Sequence, residues 1–264
     1  MKRYTFLLLA LALSLSCWQC TQETQPDPPP GQWTCSTLIP EDYASLERSG
    51  LPPDPLKGVA AKTLLWPLGS TRTVGFIGGT QIEKDSVRRA YAEISQIANL
   101  NFSFPDVGPY DIRVAFANSG YWSQIGTNAQ YIQSGPTMNL GPGAIRQRGT
   151  CVHEALHSVG VLHELQHPDG PCLDTAVVLE YYRRTQGWSD PQIYWNVLTR
   201  HVRASVIYTD FDQWSVMSYG APAAHTCLKV GLPRGTAISA GDKALLQKIY
   251  PGRGEPPIDP PGTS

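Results

Sequence analysis

The chain has 264 residues, 41% of them apolar, and a formal net charge of −1. That length and apolar share suit one folded domain with its own core plus tails, and do not require a second. With 21 Lys and Arg against 22 Asp and Glu, and no basic stripe interleaved with aromatics, there is no electrostatic basis for nucleic acid as a partner.

Lys2 and Arg3 precede an apolar run from Phe6 to Leu15, too short to span a bilayer stably and of the length of a signal-peptide core. The protein is expected to be exported, with residues 1–16 as the signal peptide. Ser14-Leu15-Ser16-Cys17 has the form of a loose lipobox, in which cleavage before Cys17 leaves its thiol to be acylated. Ser14 replaces the preferred aliphatic residue, so two outcomes stay open: a membrane-anchored lipoprotein on the cell surface or in the periplasm, and ordinary secretion. Residues 17–60 are expected to be a linker or short pro-segment, and within them Thr21 to Gly31 carries Pro26, Pro28, Pro29 and Pro30, which exclude a helix or central strand there.

Residues 61–251 carry the patterning of a folded domain. Thr73 to Ile77 reads as a strand. Thr80 and Glu83 form a capping-box signature, and Val87, Ala90, Tyr91, Ile94 and Ala98 then recur at helical spacing. Asn101 to Phe104 and the alternating Ile112, Val114 and Phe116 read as strands, and Pro136 to Gly141 as a further extended segment. Downstream, Ser189-Asp190-Pro191-Gln192 is a helix start with an apolar stripe of Ile193, Val197 and Leu198. Trp188, Trp195 and Trp214 are expected in a core. Asp242, Leu245, Leu246 and Ile249 mark a terminal helix stopped by Pro251, and the Pro- and Gly-rich residues 252–264 are expected to be a disordered tail.

The chemistry is concentrated in His153-Glu154-Ala155-Leu156-His157-Ser158-Val159-Gly160-Val161-Leu162-His163-Glu164. On a helix, His153 and His157 lie one turn apart on one face and can reach a single ion, with Glu154 beside its open coordination position. Gly160 can adopt the left-handed conformation that ends the helix and brings His163 in from another direction. Three neutral imidazoles with an unfilled position describe a catalytic zinc site, one Zn2+ per chain.

Ser215-Val216-Met217-Ser218-Tyr219-Gly220 follows downstream. The two segments together resemble the signature of the astacin family of metzincin zinc peptidases, H-E-x-x-H-x-x-G-x-x-H-E followed by a Met-containing turn of the form S-x-M-x-Y. The resemblance implies a two-lobed α+β fold, with a mostly parallel sheet, an antiparallel edge strand, a zinc helix and an irregular C-terminal lobe. It implies that His153, His157 and His163 bind zinc, that Glu154 activates the zinc-bound water, that Tyr219 ligates the metal at rest and swings to stabilise the oxyanion, and that Met217 forms a floor beneath the metal. Thr137, Met138, Asn139 and Leu140 match the edge strand on which peptide substrates are laid, and Glu164 the residue that meets a mature amino terminus or orients its surroundings by hydrogen bonding. The chain departs from the family at Ser218, in place of a second His in the Met turn. It departs again at Leu165-Gln166-His167-Pro168-Asp169, where the family has Gln/His-Ser-Arg-Pro-Asp and His167 stands at the usual Arg. Tyr121 replaces a family Cys, so one usual disulfide cannot form.

The remaining cysteines are Cys20, Cys35, Cys151, Cys172 and Cys227. Export permits disulfides, and Cys172 with Cys227 is the expected bridge. Cys151 suits a small buried apolar residue. Cys20 or Cys35 could reach the zinc's open position as a latency device, since thiolate is a strong zinc ligand. The function these features imply is a zinc-dependent endopeptidase acting on extracellular proteins or peptides. Membrane contact would come only through a lipid anchor. The competing reading is a surface-binding lipoprotein that keeps a structural zinc site without catalysis; intact Glu154 and Tyr219 argue against it, because a structural site needs neither.

Overall fold

Five strands form one sheet in the order β3-β2-β4-β6-β5 in the computed structural model, which describes residues 60–117, 120–147 and 149–253. The strands are β2 (Thr71–Ile77), β3 (Asn101–Ser103), β4 (Ile112–Ala115), β5 (Tyr121–Ser123) and β6 (Met138–Leu140). β2, β3, β4 and β6 run parallel, and β5 pairs antiparallel with β6 through Trp122↔Asn139. A separate antiparallel pair joins β1 (Ala60–Ala61) to β7 (Val206–Ile207). The result is the α+β architecture expected, a mostly parallel sheet with one antiparallel edge strand. Cys17, Cys20, Cys35 and the tail beyond residue 253 lie outside the described residues.

Parallel neighbours need a crossover, and α1 (Gln81–Ile97) supplies it between β2 and β3. Its start is fixed as the sequence predicts. The Thr80 hydroxyl accepts from the Glu83 N–H at 3.3 Å while the Glu83 carboxylate accepts from the Thr80 N–H at 2.7 Å. Val87, Ala90, Tyr91 and Ile94 form the buried stripe of α1 and share one core with Val74, Ile112, Val114, Met138 and Leu140 of the sheet. The same core takes Val152, Ala155 and Leu156 from α2 (Thr150–Ser158), the helix carrying His153 and His157. The far side of α2 is pinned at its last turn. The Tyr91 hydroxyl bonds Ser158 Oγ at 2.8 Å, and Trp66 Nε1 donates to the Ser158 carbonyl at 2.8 Å.

One expectation is corrected here. The segment Thr137, Met138, Asn139 and Leu140 is not the sheet edge: β6 lies between β4 and β5, and all four residues are buried. The edge on that side is β5, whose three residues are too short to show an alternation in sequence.

Below the sheet, Val178 and Tyr182 of α3 (Thr175–Gln186) meet Ile193 and Val197 in a second, smaller apolar cluster. Trp188 stacks on Tyr182 with ring centroids 5.3 Å apart. The predicted helix at Ser189 is shorter than its stripe suggests: α4 spans only Asp190–Ile193, and a π-turn over Tyr194–Leu198 follows. Trp214, expected in a core, is 62% exposed. The Asp212 carboxylate accepts the Trp214 N–H at 2.8 Å, a tight local turn that leaves the ring outside. The Cys172–Cys227 disulfide is formed as expected and joins the approach to α3 to the loop at 227. Cys151 is free and half-buried rather than fully buried, and burial pushes its thiol up to about 11. The last described helix is α5 (Ala240–Ile249), capped by the Ser239 hydroxyl on the Asp242 N–H at 2.9 Å.

Candidate metal centre and active site

α2 enters from Gly149 and ends at Ser158, and the turn that follows holds Gly160 at a φ of +95°. A Cβ at Gly160 would lie 2.8 Å from the tip of the Leu65 side chain, which would have to shift, and the left-handed backbone there is what favours glycine. The turn carries the chain back so that His163 faces the helix. One nitrogen from each of His153, His157 and His163 lies within 4.8 Å of the others, and His157 Nε2 and His163 Nε2 are 3.1 Å apart. Among the described residues this is the group of His, Cys, Asp and Glu side chains able to hold a metal ion.

Main-chain carbonyls fix the ring orientations. His153 Nδ1 meets the Val216 carbonyl at 2.7 Å and His157 Nδ1 meets the Val161 carbonyl at 2.8 Å. His163 is bonded to the Asn196 backbone. A carbonyl only accepts, so Nδ1 of His153 and of His157 carries the proton and each Nε2 presents its lone pair. His153 Nε2 is buried without a hydrogen-bond partner. Burial holds His153 down at about 4 and His157 and His163 well below their ordinary value, with neighbouring imidazoles lowering the latter two further. Buried, neutral, convergent lone pairs are costly alone and are satisfied by a divalent cation, so the residues fit zinc.

The neighbouring residues brace this arrangement. Glu154 and Met217 are fully buried. The Met turn is tied to the third histidine by the Glu164 N–H on the Met217 carbonyl at 3.1 Å. It is tied to α5 by Asp242, whose carboxylate accepts from the Ser215 hydroxyl at 2.5 Å, the Val216 N–H at 2.9 Å and the Ser239 N–H at 2.9 Å. Because the Val216 carbonyl orients His153, Asp242 acts on the metal site through one residue of the main chain. The Glu164 carboxyl accepts the Asp212 N–H at 2.8 Å; burial first, and then the Asp242 and Asp212 carboxylates, push it up to about 8. Its place is therefore the loop leading into the Met turn. His167 is fully buried, its Nε2 on the Thr209 carbonyl at 2.8 Å and its Nδ1 accepting from the Asp169 N–H at 2.9 Å. It orders that same loop and stands outside the metal-binding group.

Tyr219 packs edge-on against His163 at 5.0 Å between centroids, and its hydroxyl donates to the Asn196 carbonyl at 2.7 Å. The phenol thus rests on the π-turn beside the histidine triad, where the resemblance implied that it rests on the metal. Sequence reasoning missed Asn196, Gln166 and the bracing role of Asp242. Carbonyl contacts leave no residue-type signature, and Asp242 was visible only as a helix-start residue.

The model of the family described as Astacin (Peptidase family M12A) matches residues 65–231, a span that holds the histidine triad and the Met turn. The chain belongs to the astacin family. A solved structure of myroilysin is 31% identical and superposes with a TM-score of 0.69 over 74% of this chain and 98% of that one. A crystal structure of myroilysin gives 28% identity and a TM-score of 0.59 over 84% and 92%. High choriolytic enzyme 1, a hatching enzyme zinc-protease from Oryzias latipes, shares the fold at 14% identity, with a TM-score of 0.53 over 73% of this chain and 97% of that one. No curated protein matches the chain. Astacins are zinc enzymes, so the protein is a metalloendopeptidase whose substrates are proteins or peptides.

Proposed function

We propose that the chain is an exported zinc endopeptidase that cleaves extracellular proteins or peptides, with Glu154 as general base and acid and Tyr219 as the oxyanion donor. Three buried neutral imidazoles converging within 4.8 Å, two of them on the helix that also buries Glu154 and the third brought back by the turn after it, carry this reading. Zinc held by His153, His157 and His163 supplies a Lewis-acidic charge that polarises the scissile carbonyl and lowers the pKa of water to roughly 7. Glu154 takes the proton from the attacking water and returns it to the leaving amine. The Tyr219 phenol moves from the Asn196 carbonyl to donate a hydrogen bond to the developing oxyanion. Met217 packs beneath the triad and keeps its floor apolar.

Substrate would add to β5. That strand pairs only with β6 among the described residues, and an extended peptide can continue the sheet by main-chain hydrogen bonds, which favours loops and unfolded segments. Export through a signal peptide at residues 1–16, followed by a linker or pro-segment at 17–60, the catalytic unit at 61–251 and a tail at 252–264, agrees with the disulfide in the catalytic unit. Fatty-acid labelling of wild type and Cys17→Ala separates an anchored from a freely secreted enzyme.

The test is casein cleavage by purified protein with and without chelator, beside Glu154→Gln. Losing the base lowers cleavage on the order of 10²- to 10⁴-fold with zinc retained. A zinc-loaded Glu154→Gln enzyme with full cleavage removes Glu154 from the mechanism.

A further inference from the structure

The π-turn at Tyr194–Leu198 lies beside the third histidine and has an unusual brace. The turn closes through the Thr199 N–H on the Tyr194 carbonyl at 2.9 Å. The Asn196 carbonyl accepts both the Tyr219 hydroxyl, at 2.7 Å, and the ring of His163. The Asn196 amide turns back to the Gln192 carbonyl at 2.9 Å. Gln166, only 3% exposed, spans the turn: its Nε2 donates to the Trp195 carbonyl at 2.7 Å and to the Thr199 carbonyl at 2.9 Å. One buried amide thereby clamps the turn on both sides of Asn196. Gln166 is three residues past His163, and it stands where the family run has the shorter Ser, whose hydroxyl cannot reach two carbonyls so far apart along the chain.

We propose that Gln166 is a positioning residue that holds the Asn196 carbonyl as a dock for Tyr219, so that this carbonyl competes with the metal for the phenol. π-Turns place carbonyls outside the regular helical ladder, and they recur at functional sites for that reason. Here the freed carbonyl joins a metal-ligating ring to the mobile phenol, and movement of one is felt by the other. The dock keeps the phenol within reach of the oxyanion position while leaving the metal's fourth place to water. The inference rests on the proposed role of Tyr219 only for its catalytic consequence, since the dock itself is geometric.

The test uses the full chain with copper(II) exchanged into the metal site, where a phenolate ligand gives a visible charge-transfer band. Gln166→Met, which keeps the volume and removes both donors, weakens the dock. The band is expected to grow roughly 2- to 12-fold at equal copper occupancy, the range set by losing about one net hydrogen bond. Gln166→Ala, which admits water to the two carbonyls, reads the same band should the Met variant misfold. Tyr219→Phe abolishes the band and assigns it. On the zinc enzyme, Gln166→Met lowers kcat by a similar factor with KM held within twofold, and does nothing further in a Tyr219→Phe background. Folded, copper-loaded Gln166 variants with an unchanged band overturn the dock. Full activity in Tyr219→Phe instead overturns the catalytic reading of Tyr219, and the copper band still decides the dock.

Discussion

Asp242→Asn tests how far the metal site depends on a residue that does not touch it. The Asp242 carboxylate is 5% exposed and accepts from Ser215 Oγ, the Val216 N–H and the Ser239 N–H. An asparagine oriented to keep its oxygen on the two amides turns its NH2 toward Ser215 Oγ, and all three contacts lose charge assistance. At about 1 kcal/mol per contact, the difference between a charged and a neutral hydrogen bond, the cost is roughly 2–3 kcal/mol of folding stability. Part of that loss reaches the metal, because the freed Met turn no longer fixes the Val216 carbonyl against His153 Nδ1, now 2.7 Å away. Loss of support for an orienting partner costs about 10- to 100-fold in metal affinity. Urea denaturation measures the first quantity and chelator-competition titration of zinc the second. If Asp242→Asn matches wild type in both, the chain from α5 through the Met turn to the histidine carries no energy and the reasoning fails.

Three further outcomes are expected. Gly160→Ala places a Cβ at φ +95° and 2.8 Å from the Leu65 side chain; it should cost about 1–3 kcal/mol in denaturation and weaken zinc binding by moving His163, and wild-type behaviour in both would deny the turn its role. Reducing Cys172–Cys227, which closes a loop of sequence separation 55, should lower stability by roughly 2–4 kcal/mol. Thermal melts with and without reductant check that, and equal Tm values contradict it. Glu164 has a folded pKa raised from 4.5 to about 8, so between those values the native state binds more protons than the unfolded chain and its stability falls as pH rises. Glu164→Gln removes that dependence. Relative to the variant, wild type should lose up to roughly 4 kcal/mol between pH 5 and pH 9, and a gap that does not change with pH would falsify the buried-carboxyl reading.

The sequence was most informative where a residue type has one physical use. His153, His157 and His163 at fixed spacing, with Gly160 between them, announced the triad, and the structure brings their nitrogens within 4.8 Å. The capping box at Thr80 and the stripe through Ile94 likewise read correctly, because side chain and backbone requirement coincide there. The substrate edge was assigned to β6 by its resemblance to the family's edge strand, whereas the fold puts β6 inside the sheet, where it is buried, and leaves β5 at the edge. α3 escaped notice because only Val178 and Tyr182 are buried along it, a pair one turn apart rather than a stripe. The orienting carbonyls of Val161, Asn196 and Val216 were beyond reach, since any residue supplies one and only the fold decides where it points.

X-ray absorption at the zinc edge, with metal content measured on the same purified sample, tests the central claim most directly. The account predicts one zinc per chain with imidazole nitrogens at about 2.0–2.1 Å, and loss of the bound metal in each of His153→Ala, His157→Ala and His163→Ala. A folded protein that carries no zinc, or that keeps it after any one of these substitutions, would contradict it.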